Sequence, residues 1–272
     1  MLTDEPLEPG QWRRFVEPAA VLWLVAGAGA IRWGRLDLCQ NLRDAAAGQV
    51  LENIAALALL TAAGVIVVDL LAWAVRQVWL GRAVPWPLST LLLRRRRRRW
   101  HAAGHGIDPA ADPEAVQRFA RRRTRIALTE PQSPTWIGDR IMAASTRVRN
   151  AYGLDLPSAW PRLWLLLPDA GRAELRRAAR LWHGSARWTA WAILYTLLAV
   201  GWWPLAILAA VTLASAIQAG RGATAVLTDL VESAADLHGP ALAAALGCAD
   251  STGPDLTPET GRRINRVTRK GL

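Results

Sequence analysis

The sequence predicts an all-α integral membrane protein, in which two transmembrane helical hairpins, about four spans, flank a basic helical cytoplasmic region. Three observations carry this. Apolar residues are gathered into three blocks whose lengths approach or exceed the roughly 20 residues that cross bilayer hydrocarbon. Cations are gathered into one segment: Arg76 to Arg187 holds 22 arginines against 8 acidic residues, in a chain of 272 residues whose net charge is only +11. The chain also has 15 tryptophans, and several fall at block ends, where a bilayer interface favours them. The resulting division is a cytoplasmic tail (1–17), a first hairpin (18–75), the basic region (76–180), a second hairpin (181–222) and a C-terminal cytoplasmic helical tail (223–272).

The first block, Pro18 to Ile31, is uncharged between Glu17 and Arg32. It reaches spanning length with Arg32 snorkelling and Trp33 at the headgroups. Its AGAGA stretch resembles a signal-peptide cleavage site, but Asp4, Glu5, Glu8 and Glu17 outnumber Arg13 and Arg14, opposite to the charge such a peptide opens with. The second block, Asn53 to Val75, carries Asp69 as its single charge. The third, Trp188 to Gly220, has no charge and exceeds the length of one span. Gly201, Trp202, Trp203 and Pro204 interrupt it, which predicts legs Leu181 to Gly201 and Trp202 to Gly222. One bent helix, some 45–50 Å long at about 1.5 Å per residue, is the alternative.

The positive-inside rule places the basic region and both termini in the cytoplasm. Trp33, Trp202 and Trp203 then mark outer ends, and Trp73, Trp79, Trp182 and Trp188 inner ones. Cys39 falls outside and Cys248 inside, so no intramolecular disulfide is expected.

Shortly after the second span come Arg94, Arg95, Arg96, Arg97, Arg98 and Arg99. Such a run resists packing, which leaves a solvated arm, anionic headgroups or nucleic acid. Proximity to a span favours the anionic inner leaflet. Nucleic-acid reading would need an aromatic platform or a reading helix, and neither is visible. Asp112 and Pro113 then open a helix to about Ala127, with Val116, Phe119, Ala120 and Ile126 on one face and Arg118, Arg121, Arg122 and Arg125 largely elsewhere. A second helix has Ser133 as N-cap, Pro134 at its first position and Gly153 as its stop. Its stripe of Ile137, Ile141, Ala144, Val148 and Ala151 suits a neighbouring helix or a protein partner.

The stretch YGLDLPSAWPRLWLLLP follows, carrying Tyr152, Gly153 and Asp155, then Trp160, Pro161, Arg162, Leu163, Trp164, Leu166, Leu167 and Pro168. With LVESAADLHG at Leu230 to Gly239, it resembles a family of uncharacterised bacterial multi-pass membrane proteins that carry a YGxD element and a WPRLWxLLP element before a transmembrane hairpin. The resemblance covers roughly residues 135–250 and implies architecture only. Read physically, the element is a juxtamembrane plug in which Asp155 and Arg162 could pair. Arg172, Arg176 and Arg180 then recur every four residues opposite Leu175, Ala178 and Trp182, a face suited to phosphate headgroups.

Little catalytic chemistry is legible. His101 and His105 are one turn apart, but no third metal ligand is evident. His183 and His238 are isolated, and no phosphate-binding glycine loop, paired-cysteine zinc site or nucleophile elbow occurs. No enzyme activity, metal or cofactor is expected. Asp69, an intramembrane ionisable group, is either a proton or cation site facing other helices, or a carboxylate hydrated from the cytoplasm or paired with a nearby arginine. The C-terminal stretch from Thr257, with Pro258, Arg262, Arg263, Arg266, Arg269 and Lys270, is either a basic helix on the membrane or a frayed end. The functional expectation is a non-catalytic membrane anchor or scaffold that binds anionic lipid and a protein partner or a second copy of itself. A small oligomeric channel or membrane-perturbing effector is the alternative.

Overall fold

A computed structural model describes residues 64–104, 113–200, 203–249 and 255–269, and these are all-helical, without a strand. The N-terminal tail, the first apolar block, the start of the second, Cys39, His105 and Lys270 lie outside the described residues. The helices are α1 (64–79), α2 (Leu88–Gly104), α3 (Pro113–Ile126), α4 (Trp136–Tyr152), α5 (Leu156–Leu166), α6 (Asp169–Leu198), α7 (Pro204–Ala245) and α8 (Pro258–Thr268). The chain forms two compact units, one of Met1–Leu71 with Ala190–Leu213 and the other of Ala72–Thr189 with Ala214–Leu272.

Among the described residues one helix, α7, is long and apolar enough to cross a membrane. Helix α6 ends at Leu198 and α7 begins at Pro204, either side of the expected break, whose Gly201 and Trp202 lie outside the described residues. Pro204 occupies the first helical position, where its missing N–H costs nothing. The helices extend beyond the expected legs: α6 begins at Asp169, well before Leu181, and α7 runs on to Ala245, well past Gly222. In the first unit apolar side chains point both ways. Val68, Ala190, Ala192, Tyr195, Leu205 and Ala209 are buried, while Ile66, Leu70, Leu197, Ile207 and Val211 are exposed.

The second unit is a helical bundle with its own core. Leu154, Leu156, Ala159, Leu163 and Leu167 of the YGxD–WPRLWxLLP stretch meet Leu175 of α6, Ala234, Ala235, Leu242 and Ala243 of α7, and Ile264 of α8. Helices α4 and α7 run parallel through it. Arg221 lies over the Trp136 ring at 5.1 Å, Arg140 bonds Thr228 and Asp229, Arg147 pairs with Glu232 at 3.3 Å, and Tyr152 is hydrogen-bonded to Asp236, so numbers rise together along both helices. That Asp236 bond, with burial, holds the Tyr152 phenol above its usual range. Burial likewise raises the Glu232 carboxyl, whose second oxygen has no partner among the described residues.

Several expectations need correction. The N-cap of α4 is Thr135, not Ser133: its hydroxyl accepts from the Gly138 N–H and donates to the Trp79 carbonyl, so one side chain caps α4 and ties it to the end of α1. Ser133 is buried and stands where a Cβ on Gly81 or Gly138 would have to go. The apolar stripe of α4 serves intramolecular packing, since Ile137, Ala144 and Val148 are buried. The proline-punctuated plug is itself a helix, α5, and Pro161 sits inside it. Trp79 and Trp182, expected at the bilayer surface, lie 6.3 Å apart, and the Trp79 ring covers Gly220, where an added Cβ would come within 2.6 Å of it.

The C-terminal helix is not a frayed end; one face of it docks. Thr257 caps α8 as expected, accepting from the Thr260 N–H, and Thr260, Gly261, Ile264 and Thr268 form its buried face. Backbone meets backbone here, because a Cβ on Gly261 would collide with the Tyr152 carbonyl oxygen. Asn265 then clasps the bend after α4, donating to the Gly153 carbonyl and accepting from the Asp155 N–H, both at 2.8 Å. Asp155 pairs with Arg269 at 2.9 Å instead of Arg162, which donates to the carbonyls of Ser158 and Thr268.

Gly261→Ala should lower stability by roughly 1–3 kcal/mol, as overpacking does, and expose the C-terminal segment to limited proteolysis. The Arg269 hydrogen bond holds the Asp155 carboxyl below its ordinary range. A depressed folded pKa gives stability that is complete above the unfolded value, about 3.9, and is lost as pH falls through the folded one. Thermal unfolding in detergent from about pH 5 downward should therefore show a shallower acid loss in Asp155→Asn than in the parent.

Candidate lipid and partner surface

Arginine is a good helix former, and successive residues of a helix point about 100° apart, so a six-arginine run need not crowd its charges. In α2 that geometry sorts them. Arg94, Arg95, Arg98 and Arg99 face solvent, Arg96 turns inward, and Arg97, itself exposed, reaches back to the Pro131 carbonyl and to Glu130 at 3.8 Å. The run is therefore no free arm, and the expectation that all six resist packing fails because acceptors are placed to receive two of them.

Asp139, in the first turn of α4, supplies the main acceptor. Its side chain is 3% exposed; one oxygen receives Arg96 at 3.1 Å and the other receives the backbone N–H groups of Gln132 and Ser133 at 2.7 and 3.3 Å. Arg96 also donates to the Ile126 carbonyl, and Arg97 to the Pro131 carbonyl. At the end of α2 the Trp100 indole N–H donates to the Ala127 carbonyl, and the Arg123 guanidinium lies 3.6 Å over its ring. Carbonyls at the close of α3 and in the following loop thus accept N–H groups of α2 side chains, and α2 and α3 pack side by side.

The outward surface is strongly basic. Besides the exposed arginines of α2, Arg118, Arg121, Arg122 and Arg125 of α3 are exposed and line a shallow hollow with Thr124. On α6, Leu175 and Ala178 are buried as the expected pattern requires, and Arg176 and Arg180 are exposed. Arg172 is paired with Asp169 at 2.9 Å. Of the motif residues, Tyr152, Trp160 and Trp164 pack against the helical core, Gly153, Asp155 and Arg162 bond to α8, and Pro161 and Pro168 are exposed. Asp69 is exposed, off the buried Val68–Ala72–Val75 stripe of α1. His101 pairs with Glu130 at 3.5 Å, and no group of three metal-ligating side chains occurs among the described residues.

Asp139, Asn265, Arg269 and Trp100 were not singled out as partners by sequence reasoning. Asp139 falls off the apolar stripe of α4, so periodicity places it toward solvent. Asn265 and Arg269 sit in a stretch whose charge pattern reads as surface. Asp139→Ala should cost roughly 3–5 kcal/mol, because it leaves Arg96 without its buried counter-charge. Asp139→Asn, which keeps an acceptor for the Gln132 N–H, should cost less; thermal unfolding in detergent orders the two. The chain matches no protein-family model, no curated protein and no solved structure.

Proposed function

We propose that the protein is a non-catalytic anchor or scaffold of the bacterial inner membrane whose basic helical region binds anionic lipid on one side and a protein partner on another. The observation that carries this reading is the division of the arginine run. Two guanidiniums hold α2 to the bundle, and Arg94, Arg95, Arg98 and Arg99 are presented outward on a rigid helix that begins a few residues after α1. Near an anionic leaflet each such cation is worth on the order of 1 kcal/mol.

Membrane residence has separate support. Only 28% of the most apolar stretch of α7 is buried, whereas a core helix of a soluble protein is mostly covered. The spans are read as two hairpins, residues 18–75 and 181–222, with both termini cytoplasmic. The tryptophan positions fit that orientation: Trp203 is exposed just before α7. A partner is drawn to the second unit, where Leu165 and Leu237 are each about three-quarters exposed at 73% and 75%.

The test uses the full chain reconstituted in nanodiscs. Replacing Arg94, Arg95, Arg98 and Arg99 with glutamine should abolish its preference for phosphatidylglycerol over phosphatidylcholine and flatten the salt dependence, with the melting temperature preserved. Arg96→Gln should do the reverse, lowering the melting temperature while keeping the lipid preference. An unchanged preference in the four-glutamine variant defeats the lipid half of the proposal.

A further inference from the structure

The turn between α1 and α2 offers a second feature, apolar where its surroundings are basic. Trp86 is 81% exposed, and Leu88 and Leu91 at the start of α2 are 49% and 64% exposed. Large side chains in a soluble setting seldom stand so bare together beside prolines and cations. Leu88, Leu91, Arg95 and Arg98 are spaced 3, 4, 3, the spacing of a single helix face, and all four are exposed. That face is therefore apolar in its first turn and cationic in the next two, a lengthwise order rather than the side-by-side order of an ordinary amphipathic helix.

The position of the turn is constrained. The N–H groups of Leu80, Gly81, Arg82 and Ala83 bond back to carbonyls of Arg76, Val78 and Gln77, and Gly81 supplies the left-handed residue at φ 75°. Thr135 holds the Trp79 carbonyl from the other side. Trp86 follows Trp79 by seven residues, a reach of at most about 25 Å when fully extended, so it stays close to the end of the apolar helix.

We infer that residues 86–99 form an interfacial anchor occupied by the headgroup layer of an anionic bilayer: Trp86, Leu88 and Leu91 enter the boundary between headgroups and acyl chains, and Arg95, Arg98 and their neighbours bind the phosphates. This rests on the lipid reading above and adds to it a wedge that sets the depth and tilt of α2. Charge complementarity selects this occupant. A protein groove would have to cover leucines and at least two unpaired guanidiniums on one face, whereas a headgroup boundary meets both within a few ångströms.

The experiment uses the full chain carrying Cys39→Ser, with Cys248 left in place because it is buried. Single cysteines at Trp86, Leu91 or the exposed Glu259 are labelled with an environment-sensitive fluorophore and reconstituted in phosphatidylcholine–phosphatidylglycerol vesicles. Labels at 86 and 91 should be quenched by a shallow lipid-borne nitroxide and should resist aqueous iodide by at least about threefold relative to 259. Leu88→Glu together with Leu91→Glu should return the label at 86 to iodide. Equal iodide quenching at 86, 91 and 259 overturns the wedge, even if the four-glutamine variant still loses its lipid preference. Shielding from iodide without nitroxide quenching also overturns it, in favour of a protein contact. Immersion of 86 and 91 alongside an unchanged lipid preference in the four-glutamine variant would retain the wedge and remove the charge-based lipid reading.

Discussion

The placement of the arginine-rich helix depends on one buried carboxylate. Six consecutive cations repel one another, and without a counter-charge the segment would gain nothing by leaving water. Asp139 changes this because it is held out of solvent by two backbone N–H groups and still has an oxygen directed at Arg96. The pair joins α2, the loop after α3 and the first turn of α4, and the Thr135 cap in the same loop joins α4 to the end of α1. Loss of the carboxylate would weaken the seating of α2, which the Arg97 and Trp100 bonds also hold, and would leave its outer arginines in place. A stability determinant and the proposed lipid contact thus sit side by side in one run, on arginines that differ in the direction they point.

The core around α5 works on another principle. Most of its contacts are aliphatic, but its tightest approaches are backbone to backbone, at Gly261 against Tyr152 and at Gly153 against Pro258. Gly153 has φ 63° and ends α4 in a left-handed cap, so its lack of a Cβ serves both the turn and the approach of α8. Asn265 then satisfies an N–H and a carbonyl that the bend would otherwise strand. The C-terminal helix is accordingly a structural member, and its arginines divide as those of α2 do: Arg269 turns to Asp155, Arg263 to Glu259, and Arg262 and Arg266 remain exposed.

Much of the helical layout was legible along the chain. The α3 limits, the stop at Gly153, the cap at Thr257 and the break before Pro204 each follow from local rules of capping, proline and glycine, which operate within four residues and need no tertiary partner. Legibility fell where two remote segments meet. Asp155 lies near Arg162 in sequence but pairs with Arg269, and Ser133 was the plausible cap until the Trp79 carbonyl and the Gly138 N–H selected Thr135. Trp79 and Trp182 have the composition of an interface belt, and both are half-buried, with the Trp79 ring packed over Gly220.

The sequence by itself determined that the chain is helical, where α3 and α4 stop, and that its cations are concentrated between Arg76 and Arg187, because periodicity, caps and charge are properties of neighbouring residues. Only the tertiary structure decided which arginines face outward and which are consumed internally, and whether the last helix is tail or core. Those outcomes turn on acceptors up to 114 residues away, as between Asp155 and Arg269. An exposed and a buried guanidinium are the same letter in the sequence, and only the carbonyls and carboxylates brought to them in three dimensions tell them apart.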